Sequence, residues 1–593
     1  EADKPTLLRR LSLDLTGLPP TTQELDSYLA DKSPAAYEKQ VDRLLASSRF
    51  GEKMALHWLD LARYADTHGY HIDSHRDMWP WRDWLIGAFN RNMPYDQFTV
   101  WQLAGDMLPN ATREQMVASG FNRNHVINYE GGAIPEEYQT EYVIDRVEAT
   151  STTWLGLTVG CARCHDHKYD PIKQKDFYRL YAFFNNIEEK GLDGQKGNAA
   201  PFLKLPSITQ DTLEKEMTQA IGAREKQLEA AKVPELMEEW EKTKLARIAA
   251  PSREGLLAHY EMEGNFNESS GTYRHGRFLG IPPTANDGPI GQAALLDSSA
   301  RIEVPAPDSF NEDRPFSLAF WFRGGNKLEP MTILSKKDKA GFEIGNDEVF
   351  SIGDLRRGAH LLIQLTGGNG EVAKYSSKTP FPYNEFTHFT LNHKGKGEIE
   401  LLVNGEPVEL VLDSGKREIR FASAAPFLFA KMIGSFDDMR IYNRPISKQE
   451  AHQLAVIEPV RYLLFHSGIK RNKTQLATLR DFYLKYDATE EIQKLYARLN
   501  QLKAEKKELD EQIPSTMVMK ELEKPRDSFI LNRGQYDQKA EKVDAATPGF
   551  LPPMPASLPR NRLGLAQWLT AKDHPLTSRV AVNRFWSMYF GIG

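Results

Sequence analysis

The only two cysteines of this 593-residue chain stand together as Cys161-Ala162-Arg163-Cys164, and His165 follows at once. Two thiols and an imidazole in that order meet the needs of a c-type haem site. The thiols add to the vinyl groups of one porphyrin, a short turn sets both sulfurs along one edge, and the next residue falls beneath the iron. His165 is then the proximal axial ligand, and one covalent haem c is the expected cofactor. Three other readings stay open: a thioredoxin-like redox pair, half of a zinc site, and an inert thiol pair. The first asks for a preceding strand, whereas the residues before Cys161 read as helix. The second needs further soft ligands, and no other cysteine exists. Covalent haem is attached outside the cytoplasm, so the expected location is periplasmic or cell-surface.

The sixth iron ligand decides between electron transfer and chemistry at the metal, because a second strong ligand closes the site. His57, on a predicted helix, is the first choice for the distal position. His68, His71, His75, His125, His167, Met54, Met78 and Met107 are the alternatives. His167 stands too near His165 to reach the opposite haem face, and is expected at a propionate or an outer carboxylate with Lys168 or Arg163. His68, His71 and His75, with Asp66, Asp73 and Asp77, form a local cluster suited to a second metal or to the edge of a sugar. The plainer reading is a solvated polar loop, since Gly69 interrupts any helix that would align them. Around the Gly131-Gly132 turn stand Glu130, Glu136 and Glu137, and a carboxylate pair there can act as acid and base on a glycosidic bond. These three and Asp73 are the candidate catalytic residues. Glu137, Glu141 and Asp145 share one helix face, which reads first as exposed acidic surface. Further along, Asp437 and Asp438 are candidate calcium ligands, with a charged strand edge as the alternative.

The length predicts roughly four domains at about 150 residues each. With 81 acidic against 75 basic side chains, a net charge of -6 and no basic stripe, nucleic acid is not an expected partner. No apolar run approaches the roughly 18 residues that a membrane-spanning helix requires. Residues 1–206 read as a mainly α-helical haem domain. Leu7, Leu8, Leu11 and Leu15 recur at helical spacing, Gly17 and Pro19-Pro20 stop that helix, and Thr21 with Glu24 offers a capping box to the next. One long helix is expected from Pro135 to Gly160, running into the cysteine motif. Residues 207–254 and 457–515 read as the two arms of an antiparallel helical hairpin, on the spacing of Leu213, Met217, Ala220 and Leu228 and of Ile492, Leu495, Leu499 and Leu502.

Between the arms, residues 255–456 change to the alternating period of strands. Phe316, Leu318, Phe320 and Phe322 alternate with small or polar residues apart from Trp321, and Asn404-Gly405 is a hairpin-turn signal. Many short strands imply an inserted β-sandwich. Residues 516–593 comprise a linker, proline-rich at Leu551-Pro552-Pro553-Met554-Pro555, and the start of a mostly helical C-terminal domain. Glu1 to Pro5 has neither a basic nor an apolar leader region, and the helical pattern of Val580 to Tyr589 meets Gly591 to Gly593 without a partner element. The chain therefore reads as a mature or cleaved piece.

The runs Arg9 to Thr21, His57 to Asp66, and Trp154 to Thr158 leading into Cys161 to Pro171 resemble the planctomycete multidomain cytochrome c family. Arg560 to Ala566 and His574 to Thr577 resemble the opening of that family's C-terminal domain. Residues 256–456, with Gly434 to Arg444, resemble its laminin-G-like (concanavalin-like) jelly-roll insert. The resemblance implies an exported bacterial haem protein with two flanking domains of unknown function, from bacteria rich in enzymes for complex glycans. The adopted expectation is electron transfer or redox chemistry linked to polysaccharide use, with a glycan and a redox partner protein as partners. One alternative is a carbohydrate-active enzyme, with a cleft of acids and of aromatics such as Trp79, Trp81 and Trp84. The other is an adhesive surface protein whose haem staples the helical domain.

Overall fold

The computed structural model describes residues 2–593 apart from 71–72, 131, 193–196, 280–282, 298–300, 307–313, 326–330, 349–358, 418, 431–432, 467 and 469. His71 therefore lies outside the described residues. The chain divides into two units, Glu1–Glu214 with Glu508–Gly593, and Lys215–Lys507.

In the first unit, local signals start and stop the helices as the sequence suggests. Gly17, at φ 71°, closes the helix Lys4–Thr16, and the Thr21–Glu24 capping box opens Thr22–Ala30. The helices Ser48–Ala62, Trp79–Asn90, Tyr95–Ala104 and Pro135–Thr150 enclose a core in which Trp58, Trp81, Trp84, Phe98, Phe121 and Trp154 are buried. Phe121 and Trp154 meet edge to face at 4.9 Å. Residues 516–593, expected as a separate C-terminal domain, share this core through Met517, Leu531, Leu565 and Trp568. The strand Phe202–Lys204 pairs antiparallel with Ser515–Met517.

The expected helix from Pro135 to Gly160 is shorter than its apolar spacing suggests. Pro135–Thr150 continues only as a π-helical turn, Ser151–Leu155, and Gly156 then turns left-handed at φ 65°. A side chain at Gly156 would stand 2.9 Å from a methyl of Val580, so both conformation and close approach require glycine. The cysteine motif follows on a separate 3-10 turn, Gly160–Arg163.

The second unit holds an antiparallel sandwich. One sheet includes Ala359–Thr366, Gly341–Glu348, Met331–Lys337 and Phe427–Ala430. The other runs through Glu398–Val403, Thr387–Gly395, Phe316–Gly324, Gly434–Tyr442 and Gln292–Leu296. Phe320, Phe322, Phe342, Phe389, Phe429 and Phe436 fill the space between. The helical elements are more divided than a hairpin of two arms. Lys232, at φ 50°, and Pro234 separate Ile208–Ala230 from Val233–Lys244. Residues 457–515 form Glu458–Phe465, Lys473–Phe482 and Glu490–Gln512. Trp240, Leu463, Leu464, Leu479, Phe482 and Leu499 share one core among these helices.

Candidate functional site

The 3-10 turn at Gly160–Arg163 brings Cys161 and Cys164 to eclipsed positions, because residues three apart superpose at three residues per turn. Both thiols are free and exposed. Ala162, between them, is fully buried and anchors the turn. Arg163 fixes it laterally. Its guanidinium forks onto both oxygens of Glu141 and donates to the Gly534 carbonyl, while its own carbonyl accepts from Tyr178 Oη at 2.9 Å and Gln174 Nε2 at 3.0 Å. Cys164 Sγ lies 3.3 Å from the Arg533 carbonyl.

His165 is exposed, and its Nδ1 stands 2.7 Å from the Asp166 carbonyl. A carbonyl only accepts, so Nδ1 carries the proton and Nε2 presents its lone pair outward. Metal-bound histidines are oriented by such an outer hydrogen bond. Asp166 Oδ1 in turn accepts from the Gln174 amide at 2.8 Å, capping the helix Gln174–Tyr181. Free paired thiols and an oriented imidazole fit the donor set of a covalent haem. Helix rather than strand precedes the motif, unlike a thioredoxin-like site. Among the described residues no three His, Cys, Asp or Glu side chains converge as a metal-ion site.

The other expected ligands are placed elsewhere or engaged. His57 lies on the exposed face of Ser48–Ala62, and no hydrogen bond or ion pair joins it to the motif. His68 is buried with Nε2 2.8 Å from the Gly197 carbonyl, and burial pushes its imidazole down to about 4. His125 is buried between the Val126 carbonyl and Arg146, and burial and the neighbouring guanidiniums hold it well below the usual histidine range. His167 accepts from the Asp170 amide at 2.9 Å, locking its own loop. His75 pairs with Asp77 at 3.0 Å. Met54 and Met78 are buried in the first unit.

The candidate acids stand in local turns and at a helix start. Asp73 accepts from the Gly69 amide at 2.7 Å, which with Thr67 keeps it ionised. Glu136 and Glu137 occupy the first turn of Pro135–Thr150, where the helix dipole favours negative charge. The Glu130 amide donates to Asn128 Oδ1 in a local turn. Glu141 and Asp145, expected as exposed acidic surface, are ion-paired to Arg163 and Arg63. Trp81 and Trp84, expected in a cleft, are core residues, and Trp79 remains partly exposed.

Asp437 and Asp438 do not form a calcium ligand set. Asp438 is buried and engaged by Arg440 Nε at 3.0 Å and by His259 Nε2 at 2.6 Å, so a guanidinium already neutralises it. Asp437 is buried beside it, and that burial, with the Asp438 charge, raises its carboxyl well above the usual range.

The sequence gives no forewarning of one buried network. Glu189 accepts from Arg123 Nη1 and Arg146 Nη2, both at 2.6 Å, and Arg526 donates to its backbone carbonyl at 2.9 Å. Its members lie far apart in the chain, and spacing carries no sign of it.

Three family models match the chain. Residues 1–189 match a protein of unknown function (DUF1549), residues 561–593 match a protein of unknown function (DUF1553), and residues 296–452 match the concanavalin A-like lectin/glucanases superfamily. The inserted sandwich is thus concanavalin-like. No curated protein matches. Among solved structures, the binding domain of Paraclostridial Mosquitocidal Protein 1 is 18% identical, with a TM-score of 0.29 over 34% of this chain and 52% of that one. Domain 4 of AbnA, a GH43 extracellular arabinanase from Geobacillus stearothermophilus in complex with arabinotriose, is 20% identical, with a TM-score of 0.27 over 34% of this chain and 98% of that one. The botulinum neurotoxin serotype G binding domain is 16% identical, with a TM-score of 0.26 over 34% and 50%. The chain spans about half the length of the mosquitocidal and neurotoxin structures.

Proposed function

We propose that this chain is an exported c-type haem protein, periplasmic or cell-surface, that transfers electrons to or from a partner protein, and that its concanavalin-like sandwich engages a glycan. The observation that carries the haem reading is the orientation of His165. Its Nδ1 is committed to a backbone carbonyl beside two free thiols on one turn, and its Nε2 faces outward. Cys161 and Cys164 would hold the porphyrin as thioethers, and His165 would be the axial ligand. When bound, the group supplies one-electron redox chemistry. The chain itself contributes position: Arg163, pinned to Glu141 and Gly534, keeps the turn rigid, and Asp166 keeps the imidazole in one tautomer. Exposure of both cysteines and His165 favours exchange with a docked partner over chemistry in a closed cavity.

An alkaline pyridine haemochrome spectrum with intact mass of exported protein tests this. The expected result is one thioether-linked haem, absent from the C161S/C164S double variant and retained with an altered ferric spectrum in H165A. Bare thiols or a disulfide in protein co-expressed with a cytochrome c maturation system would overturn it.

A further inference from the structure

The sandwich carries a serine, a histidine and an aspartate bonded in series. Ser269 Oγ stands 3.1 Å from His259 Nδ1, and His259 Nε2 stands 2.6 Å from Asp438 Oδ1. Burial alone would raise the Asp438 carboxyl, but Arg440 and His259 overcome that and hold it well below the usual range. A carboxylate accepts and cannot donate, so in the neutral ring Nε2 carries the proton and Nδ1 turns its lone pair to the serine hydroxyl. Both distances fall within the reach at which a base takes a proton from a nucleophile while a third group orients that base.

The elements give each member the setting its role needs. Ser269 is exposed, the His259 side chain is 15% exposed, and Asp438 is buried. The strand Leu256–Tyr260 sets His259 opposite Arg440, whose Nε donates to Asp438 Oδ2 at 3.0 Å. Asp438 takes φ 45° at a bulge in the pairing of its strand with Phe316–Gly324. A bulge re-aims a side chain, and left-handed backbone at an aspartate persists only where its surroundings over-determine it. The Ser269 amide donates to the His259 carbonyl at 2.9 Å, and Ser269 Oγ lies 3.3 Å from the same oxygen. The Glu268 carboxylate accepts from the amides of Ser270, Gly271, Thr272 and Tyr273, so a braced loop holds the serine beside the ring.

The same bracing selects the reagent. In serine hydrolases of the nucleophile-elbow type the amide after the nucleophile helps to hold the oxyanion, but the Ser270 amide is committed to Glu268. The acyl donor must therefore bring a good leaving group of its own. As Ser269 Oγ bonds to the carbonyl carbon, its proton passes to His259 Nδ1. The bond from that carbon to the leaving group breaks, and the group departs with the electron pair. The imidazolium is met by Asp438 at Nε2 and by Glu261, 3.7 Å from Nδ1. Water attacking the new ester would have to expel a serine alkoxide, a poorer leaving group, so the acyl group stays on the protein.

We propose that Ser269 is an activated nucleophile and a covalent acylation site, taking its acyl group from an aryl ester, a thioester or an acyl phosphate, with His259 as base and Asp438 as the group that orients it. The full chain is incubated with 4-nitrophenyl acetate, digested and mapped by mass spectrometry over time. Ser269 should acquire an acetyl ester at least about tenfold faster than its neighbour Ser270, whose Oγ is turned to the Leu257 carbonyl. His259→Gln, which keeps a donor for Asp438 and loses the base, should slow acetylation of Ser269 by about tenfold or more. Ser269→Ala should remove that adduct and leave the labelling of other residues unchanged. Equal rates at Ser269 and Ser270 in the wild-type chain would overturn the proposal, whether or not the histidine variant folds. So would a folded His259→Gln chain that is acetylated at Ser269 as fast as wild type.

Discussion

Replacing Glu189 by Gln should destabilise the first unit more than any exposed substitution can. The wild-type carboxylate serves Arg123 and Arg146 at once, with all three side chains buried. Glutamine keeps one acceptor oxygen but no charge, so both buried guanidiniums lose the carboxylate they share. Breaking a buried pair from one side costs about 3–5 kcal/mol. The pH dependence is a second signature. Burial alone would raise the Glu189 carboxyl, but Arg146 and Arg123 overcome that and hold it below the usual 4.5. The unfolded chain therefore takes up this proton before the folded one does. The stabilisation is complete above the unfolded pKa and is lost as pH falls through the folded value. The gap between wild type and E189Q should be widest near pH 7 and narrow in acid, below the usual glutamate range. Urea unfolding followed by tryptophan fluorescence reads this directly, since eight of the ten tryptophans belong to the first unit. A gap under about 1 kcal/mol at pH 7, or one that does not change with pH, would refute the reasoning.

Other substitutions probe separate parts of the molecule. Arg562→Met strands Asp106 and Glu521, which its fully buried guanidinium now joins at 2.6 Å each, and should cost roughly 3 kcal/mol by thermal unfolding, whereas the exposed Arg560→Met should change little. His388→Leu should flatten the acid sensitivity of the second unit. A histidine buried neutral at about 3 loses stability as pH falls from about 6.5 toward 3, at up to about 1.4 kcal/mol per pH unit, and a leucine does not; equal slopes for the two proteins would contradict this. Arg163→Ala removes the Glu141 fork and the donors to Gly534, so hydrogen exchange at the 532–535 turn should accelerate while haem attachment persists. Unchanged exchange there would show that Arg163 does not hold the turn.

What could be read in the sequence was local. The capping box at Thr21 and Glu24 acts within one turn, and the buried Leu8 and Leu15 repeat at helical spacing. Asn404 and Gly405 both take positive φ, as their turn type demands. The cysteine pair is likewise a neighbourhood of five residues. Partner choice across the chain was not legible. Cys164 meets the Arg533 carbonyl 369 residues away, and Arg562 meets Asp106 over 456. Nothing in spacing names such pairs, because a buried ion pair is set by the packing of helices and not by periodicity. Trp321 is the instructive exception. A large apolar residue on the polar face of an alternating strand was the one sign that this face is covered, and its cross-strand neighbours His388 and Asp437 are fully buried there.

The two proposed chemistries reside in different units: the cysteine turn in the first, the concanavalin-like sandwich in the second. Coupling between two sites requires a two-state element that both ligands bias, and its size is the ratio of affinities measured with and without the second ligand. The sandwich rests on strand registers and the cysteine turn on Glu141, Tyr178 and Gly534, so neither contains such an element. Oligosaccharide affinity should therefore agree within about twofold between oxidised and reduced haem protein and the C161S/C164S variant. A difference of fivefold or more corresponds to about 1 kcal/mol of coupling. That result would show that haem chemistry and glycan binding form one mechanism.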